Sequence, residues 1–106
     1  MLPAYQTDQP ARSDVDALPG DTVLEFGANW CGICRAATPD IAAAMTARPG
    51  LRHLRVEDGP GRPLGRSFRV KLWPTLVVLR DGRELARVVR PAAAQDVAAA
   101  LQALDT

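Results

Sequence analysis

The only two cysteines of the chain stand two residues apart, in Trp30-Cys31-Gly32-Ile33-Cys34-Arg35. Before them runs Thr22 to Ala28 (TVLEFGA), apolar and β-prone, which suits a strand buried on both faces of a parallel sheet. After them, from Cys31 to about Ala47, an alanine-rich run favours helix. Cysteines at i and i+3 opening a helix face the same way and are close enough to close a small disulfide ring. The free amides and positive end of the helix stabilise a thiolate there. A reversible dithiol/disulfide switch is the chemistry this placement points to. The competing use of a C-x-x-C pair is half of a zinc site, but a structural site needs four ligands. Beyond the cysteines the chain offers only His53, inside a predicted strand and unpaired, so His53 reads as an ordinary surface or strand histidine.

The rest of the chain supplies a sheet around this junction. Ala4 to Gln6 reads as a short edge strand, and Thr7 or Asp8 as the cap of a short helix through about Leu18. Pro39 falls inside the helix that follows the cysteines and should kink it; Pro49-Gly50 stops it. Leu51 to Glu57 makes a further strand, Asp58 to Pro63 a loop, and Leu64 to Phe68 a short helix. Thr75 to Arg80, Asp81-Gly82 and Arg83 to Val89 read as an antiparallel hairpin, since Asp-Gly suits the tight turn that twisted strands prefer. After Pro91, Val97, Leu101 and Leu104 recur at helical spacing and predict a closing amphipathic helix. The fold class is α/β: a central mixed sheet, built from a parallel βαβ unit and an antiparallel hairpin, with helices on both faces.

At 106 residues with 47% hydrophobic content, residues 1–106 are expected to form a single domain that needs no disulfide for stability. Thirteen basic and 12 acidic residues leave a net charge of +1, and no basic stretch alternates with aromatics. Neither nucleic acid nor an anionic membrane is therefore an expected partner. No stretch approaches the roughly 18 apolar residues of a membrane span, and no export leader is legible, so a cytoplasmic location is expected. Cysteines confined to one motif argue against a secreted disulfide scaffold.

Taken in combination, the strand VLEFGA, then WCGIC, a proline five residues after the second cysteine, then WPT before a strand and an Asp-Gly hairpin, resemble the thioredoxin family over essentially the whole chain. The resemblance implies a thioredoxin fold and a thiol-disulfide oxidoreductase with no metal and no organic cofactor, its redox centre being a Cys31–Cys34 disulfide. Cys31 would attack a substrate disulfide as thiolate, and Cys34, a turn inside the helix, would resolve the mixed disulfide. Glu25 occupies the position where thioredoxins usually carry a buried aspartate that shuttles protons for the resolving cysteine. Burial in a two-sided strand should raise its pKa, and Arg55 falls where the family often has a lysine that could hold it ionised.

Trp73-Pro74-Thr75 matches the family's cis-proline loop, which packs against the disulfide and offers backbone to an extended substrate. Trp30 would flank the redox surface, and Gly32 and Ile33 would complete the substrate-binding rim with Trp73, Pro74, Thr75 and Arg90. Several positions depart from the family. Ile33 replaces the usual proline, adding an amide that favours the reduced dithiol and thus a more oxidising pair. Gly27 stands where an aromatic is common, Trp73 where a small aliphatic is usual, and Arg90 where a glycine keeps the substrate groove open. The expected partners are protein disulfides and a recycling reductase acting on a monomer; whether that reductase is an ordinary thioredoxin reductase stays open, since specificity lies in surface contacts. Two other functions also stay open: an isomerase- or oxidase-like role, and a non-catalytic binding module that displays Trp30, Trp73 and Arg90.

Overall fold

The apolar run before the cysteines is the central strand of a four-stranded sheet. In the computed structural model, which describes residues 2–106 and so leaves Met1 of the expected domain outside the described residues, β1 (Asp21–Gly27) is buried from Thr22 onwards. It has a strand on each edge and helices on each face, so it has no polar side and does not alternate. β2 (Arg52–Glu57) runs parallel to it, with Thr22 opposite Arg52 and Gly27 opposite Glu57. β3 (Thr75–Arg80) runs antiparallel on the other edge, and β4 (Arg83–Val89) pairs with β3 to give the order β2-β1-β3-β4. The crossover from β1 to β2 is α2 (Gly32–Thr46); α1 (Arg12–Asp16), α3 (Pro63–Ser67) and α4 (Ala94–Leu101), with a 3-10 turn at Gln102–Asp105, complete the fold.

Two apolar layers sandwich the sheet. On one face Val23, Leu76 and Val78 meet Ile41 and Met45 of α2 and Val97 and Leu101 of α4. On the other, Leu24, Phe26, Val56 and Val77 meet Val15 of α1, Leu64 of α3 and Phe68. Side chains alternate along a strand, so Glu25 and Gly27 share the α2 face with Val23, while Leu24 and Phe26 take the opposite one. By the same count His53 and Arg55 lie on the α2 face of β2, because Val56 lies on the other. The α2 side of the sheet is thus apolar at one end and polar at the other, beneath the start of α2.

Local chemistry explains where the elements begin. α1 starts at Arg12 rather than after Thr7 or Asp8, because Pro10 keeps the residue before it out of the helical region. The Asp14 carboxylate instead accepts the Ala11 N–H at 3.2 Å. Asp96 does the same for α4, accepting the N–H groups of Ala92 and Ala93 at 2.8 and 3.2 Å. α2 runs from Gly32 to Thr46 through Pro39 without a break. Both turn residues of the β3–β4 hairpin have positive φ, +52° at Asp81 and +80° at Gly82, as a primed turn requires. A bulge beside Val78 and Leu79 leaves Leu85 as the extra residue of β4. Among the described residues no helix is long and apolar enough to cross a membrane.

The expected N-terminal edge strand exists as a single parallel bridge. The Gln6 N–H donates to the Arg55 carbonyl at 2.8 Å and the Glu57 N–H to the Gln6 carbonyl at 2.9 Å. This docks Tyr5, 4% exposed, over Gly27, where a methyl group in place of the glycine hydrogen would lie 2.5 Å from Tyr5 Cζ. The aromatic missing from position 27 is therefore supplied by position 5. Gly27→Ala should cost about 1–3 kcal/mol of stability by overpacking. The same change in a Tyr5→Ala background should cost much less, a non-additivity that denaturant titration of the four proteins will measure.

Candidate active site

Cys31 is the N-cap of α2, with extended backbone (φ −82°, ψ 115°), and the Cys34 N–H donates to its sulfur at 3.2 Å. The capping role that serine or aspartate plays at other helices falls here to a sulfur, which accepts the hydrogen bond of the amide pointed at it. Cys31 is partly exposed and Cys34 fully buried; both are free thiols. Burial pushes the Cys34 thiol up to about 11, and the hydrogen bond with Cys31 adds to the rise. The two sulfurs are thus unequal in access, and the inner one is held back from ionising by its burial.

Around them the structure brings together the aromatic and proline residues singled out in the sequence. Trp30 is 68% exposed, and its ring meets that of Trp73 edge-on at 5.5 Å. This sets the Trp73-Pro74 segment, whose peptide bond is cis, beside the cysteine motif. Trp73 is held from behind by its indole N–H, which donates to Asp58 Oδ2 at 2.9 Å, and Asp58 packs against Gly65, where any side chain would collide with it. Ile33 is exposed between the cysteines, as is Gly32.

The expectation of free backbone at the Trp73-Pro74-Thr75 loop is narrowed by Arg90. Its N–H donates to the Pro74 carbonyl at 2.9 Å and its Nε to the Trp73 carbonyl at 2.8 Å. Thr75 is buried, and its hydroxyl donates to the Leu72 carbonyl at 2.6 Å rather than facing outward.

Glu25 is completely buried, not solvated at an edge. Arg55 grips the carboxylate with both arms, Nε to Oε1 at 3.1 Å and Nη2 to Oε2 at 3.0 Å. His53 Nε2 donates to Oε1 at 2.8 Å, and the Tyr5 hydroxyl donates to Oε2. The expected upward pKa is corrected by this geometry. Burial does push Glu25 up, but the hydrogen bonds from His53, Arg55 and Tyr5 and the Arg55 charge outweigh it, and the carboxyl is held below its ordinary value. His53 is likewise corrected, from an unpaired strand residue to a partner of the buried carboxylate. Among the described residues no group of three or more His, Cys, Asp or Glu is placed to hold a metal ion.

Tyr5 is the residue that reading the sequence missed. It stands between two parts of the site: its hydroxyl serves Glu25, and its backbone is clamped by Asn29, which accepts the Tyr5 N–H at 2.8 Å and donates to the Tyr5 carbonyl at 3.2 Å. Arg55 stacks its guanidinium 4.1 Å from the Tyr5 ring centre. The available signal was the glycine at 27: a strand that has lost an aromatic must borrow one, and this chain has a single tyrosine.

The lowered carboxyl has a consequence for stability. Because its folded pKa lies below the unfolded value near 4.5, its contribution is complete above that pH and is lost as the pH falls through the folded value. Glu25→Gln, which leaves the buried Arg55 charge unpaired, should cost about 3–5 kcal/mol at neutral pH. In urea titrations the gap between the two proteins should narrow in acid, where the protonated wild type comes to resemble glutamine; a gap independent of pH would contradict the assignment.

Comparison with known proteins follows the same lines. The family model described as thioredoxin matches residues 4–103. An H-type thioredoxin of Fagopyrum esculentum is 30% identical over 67 residues, 63% of this chain and 58% of that protein. A thioredoxin of Chlamydia trachomatis is 35% identical over 71 residues, 66% of this chain and 69% of that one. The chain spans 58%, 39% and 53% of the lengths of three such relatives, about half on average. Among solved structures, reduced thioredoxin 2 from Pseudomonas aeruginosa PAO1 aligns with a TM-score of 0.89 at 55% identity, covering 98% of this chain and 96% of that one. With the cysteine motif at the start of α2, the mixed sheet and the family match over nearly every residue, the chain belongs to the thioredoxin family.

Proposed function

We propose that this chain is a thiol-disulfide oxidoreductase that reduces protein disulfides. The observation that carries the reading is the inequality of the two sulfurs: Cys31 caps a helix, partly exposed with an amide at its sulfur, and Cys34 waits buried a turn behind it. The Cys31 thiolate attacks one sulfur of a client disulfide, forming a mixed disulfide and releasing the client's other cysteine as thiolate. Cys34 then loses its proton and attacks Cys31 Sγ. The mixed disulfide breaks, the second client sulfur leaves as thiolate, and the electron pair that reduced the client leaves Cys31 and Cys34 joined.

In this reading Glu25 is the ionised carboxylate that receives the Cys34 proton. Trp30, Gly32 and Ile33 with Trp73 and Arg90 form the rim against which a client docks, while Pro74 and Thr75 are buried behind it, with no metal or bound organic cofactor. Electrons arrive from a recycling reductase, for which a thioredoxin reductase is the family's candidate. Two cysteines confined to one reactive motif suit a reducing compartment, here the cytoplasm.

Insulin reduction driven by dithiothreitol tests the reading. Wild type should accelerate it, and Cys31→Ser should abolish the acceleration; activity that survives Cys31→Ser, or none in wild type, would favour a binding module instead. Cys34→Ser should accumulate clients as mixed disulfides on Cys31.

A more oxidising, isomerase-like use of the same site is favoured by Ile33, which adds an amide to the first turn of α2, two residues after Cys31. Equilibration with glutathione should therefore give wild type a higher reduction potential than Ile33→Pro. Equal equilibria would remove this second reading.

A further inference from the structure

Thirteen basic residues and 12 acidic ones nearly cancel over the whole chain, yet they are not matched locally. Arg12, Arg48, Arg55, Arg62, Arg80 and Arg87 each hold an acidic partner. Arg66, Arg69 and Lys71 are exposed, and among the described residues none of the three forms an ion pair. Together with Arg62, Asp58 and Trp73 they line a cavity of about 460 Å³. Glu57 already neutralises Arg62 at 2.7 Å. Asp58, the one carboxylate in the lining, is 9% exposed and accepts the Trp73 indole N–H. Positive charge is therefore in excess around this hollow.

Nothing within the chain makes use of that excess. Arg69 has φ +59°, a left-handed conformation that suits glycine, and its side chain forms no ion pair that would offset the strain. Like charges gathered around one concavity repel one another, and the low-dielectric walls focus their field into it. An anion that enters relieves this repulsion as well as gaining attraction.

The cavity is joined to the redox surface by its own wall. Trp73 lines it and also meets the ring of Trp30, the residue before Cys31. Asp58 fixes the same wall to the central strand, because its N–H donates to the Gly27 carbonyl at 2.9 Å. The hollow thus lies beyond the carboxyl ends of β1 and β2, the end of the sheet from which the chain enters the cysteine motif.

We propose that this cavity receives the acidic flank of a protein client, whose aspartate or glutamate side chains pair with Arg66, Arg69 and Lys71 while its disulfide meets Cys31. The sign of the charge selects carboxylates, and the planar fork of arginine matches their two oxygens. A polypeptide is the occupant because Trp73 is shared: a segment that lays its disulfide beside Trp30 continues past Trp73 into the hollow. The cavity takes no part in the thiol exchange. It raises the rate of encounter and the time a client stays.

This names the class of client and rests on the reductase reading, and the test separates the two. The reduced protein is mixed in single turnovers with peptides that share one intramolecular disulfide ring and carry glutamates, glutamines or lysines on both sides of it. Bis(2-hydroxyethyl) disulfide, which has neither charge nor flank, reports the exchange chemistry alone. Wild type should reduce the glutamate peptide on the order of tenfold faster than the glutamine peptide at low ionic strength. About 1 M salt, where the screening length is about 3 Å, should remove most of that difference. Combining Arg66→Gln, Arg69→Gln and Lys71→Gln should abolish the preference, with the glutamine peptide and the neutral disulfide reduced at wild-type rates. Combining Arg66→Glu, Arg69→Glu and Lys71→Glu should turn the preference towards the lysine peptide, a gain that misfolding cannot imitate.

A glutamate preference that is absent from wild type, or equally large in the glutamine variant, overturns the docking of acidic clients and leaves the reductase reading standing. A wild type without that preference, in which inorganic phosphate shifts the amide resonances of Arg66, Arg69 and Lys71, gives the cavity to a small anion and likewise overturns the proposal. A wild type that reduces neither the peptides nor the neutral disulfide overturns both readings.

Discussion

Most of this site depends on one buried carboxylate. A charge taken out of water into the middle of a central strand costs several kcal/mol unless it is fully paired. Glu25 is paired by an arginine fork, an imidazole and a phenol that come from β2 and from the N-terminal segment. The requirement runs outward from there. Arg55 must sit in register beside Glu25, as it does across the parallel pair of β1 and β2. The N-terminal segment must dock, and it does so through the Gln6 bridge and the Pro3 carbonyl, which accepts from Arg55 Nη1 at 2.5 Å. Segments that carry little apolar surface of their own are thus held in place by what a single charge needs.

The same need explains what could and could not be read in the sequence. The strand before the cysteines, the helix after them and the Asp-Gly hairpin were legible because each is set by neighbours in the chain: apolar runs, helix formers and positive-φ turn residues. The start of α1 was misplaced because Thr7 and Asp8 are good caps in isolation, while Pro10 decides which cap is used. The Glu25 pKa was misjudged for a different reason. Burial acts on one residue and can be inferred from a strand pattern; of the opposing partners only Arg55 was legible, through the family resemblance, whereas Tyr5 and His53 lie 20 and 28 positions away and only the fold brings them to the carboxylate. Tyr5 escaped notice entirely, since a lone aromatic near the N-terminus has no motif. Its meaning lies in a glycine 22 residues later in the chain.

The surface around Cys31 is shaped by a second kind of constraint, backbone strain. Arg90 has φ +50°, a left-handed conformation that favours glycine and costs an L-residue about 1–2 kcal/mol. In return its main-chain and side-chain N–H groups hold the carbonyls of both Pro74 and Trp73. Both carbonyls are thus occupied within the chain, and on the reductase reading proposed above docking leans on side-chain surface. That surface is present in Trp30, exposed and in edge contact with Trp73, and in Ile33, also exposed.

The two faces of α2's first turn therefore answer different demands. Outside stand the tryptophan pair and Arg90, which ties down the cis-proline segment next to the cysteine motif. Inside, Tyr5, His53 and Arg55 address Glu25, a matter of keeping one buried charge fully paired. A glycine at 27 belongs to the second demand rather than the first: it opens no groove to clients, because the room it leaves is filled from within by Tyr5. An aromatic side chain at 27 could fill that volume equally well but could not bring a hydroxyl from a separate segment against the carboxylate. The exchange trades a local packing solution for one that ties the N-terminal segment to the sheet, and it makes the docking of that segment a condition for the full pairing of Glu25.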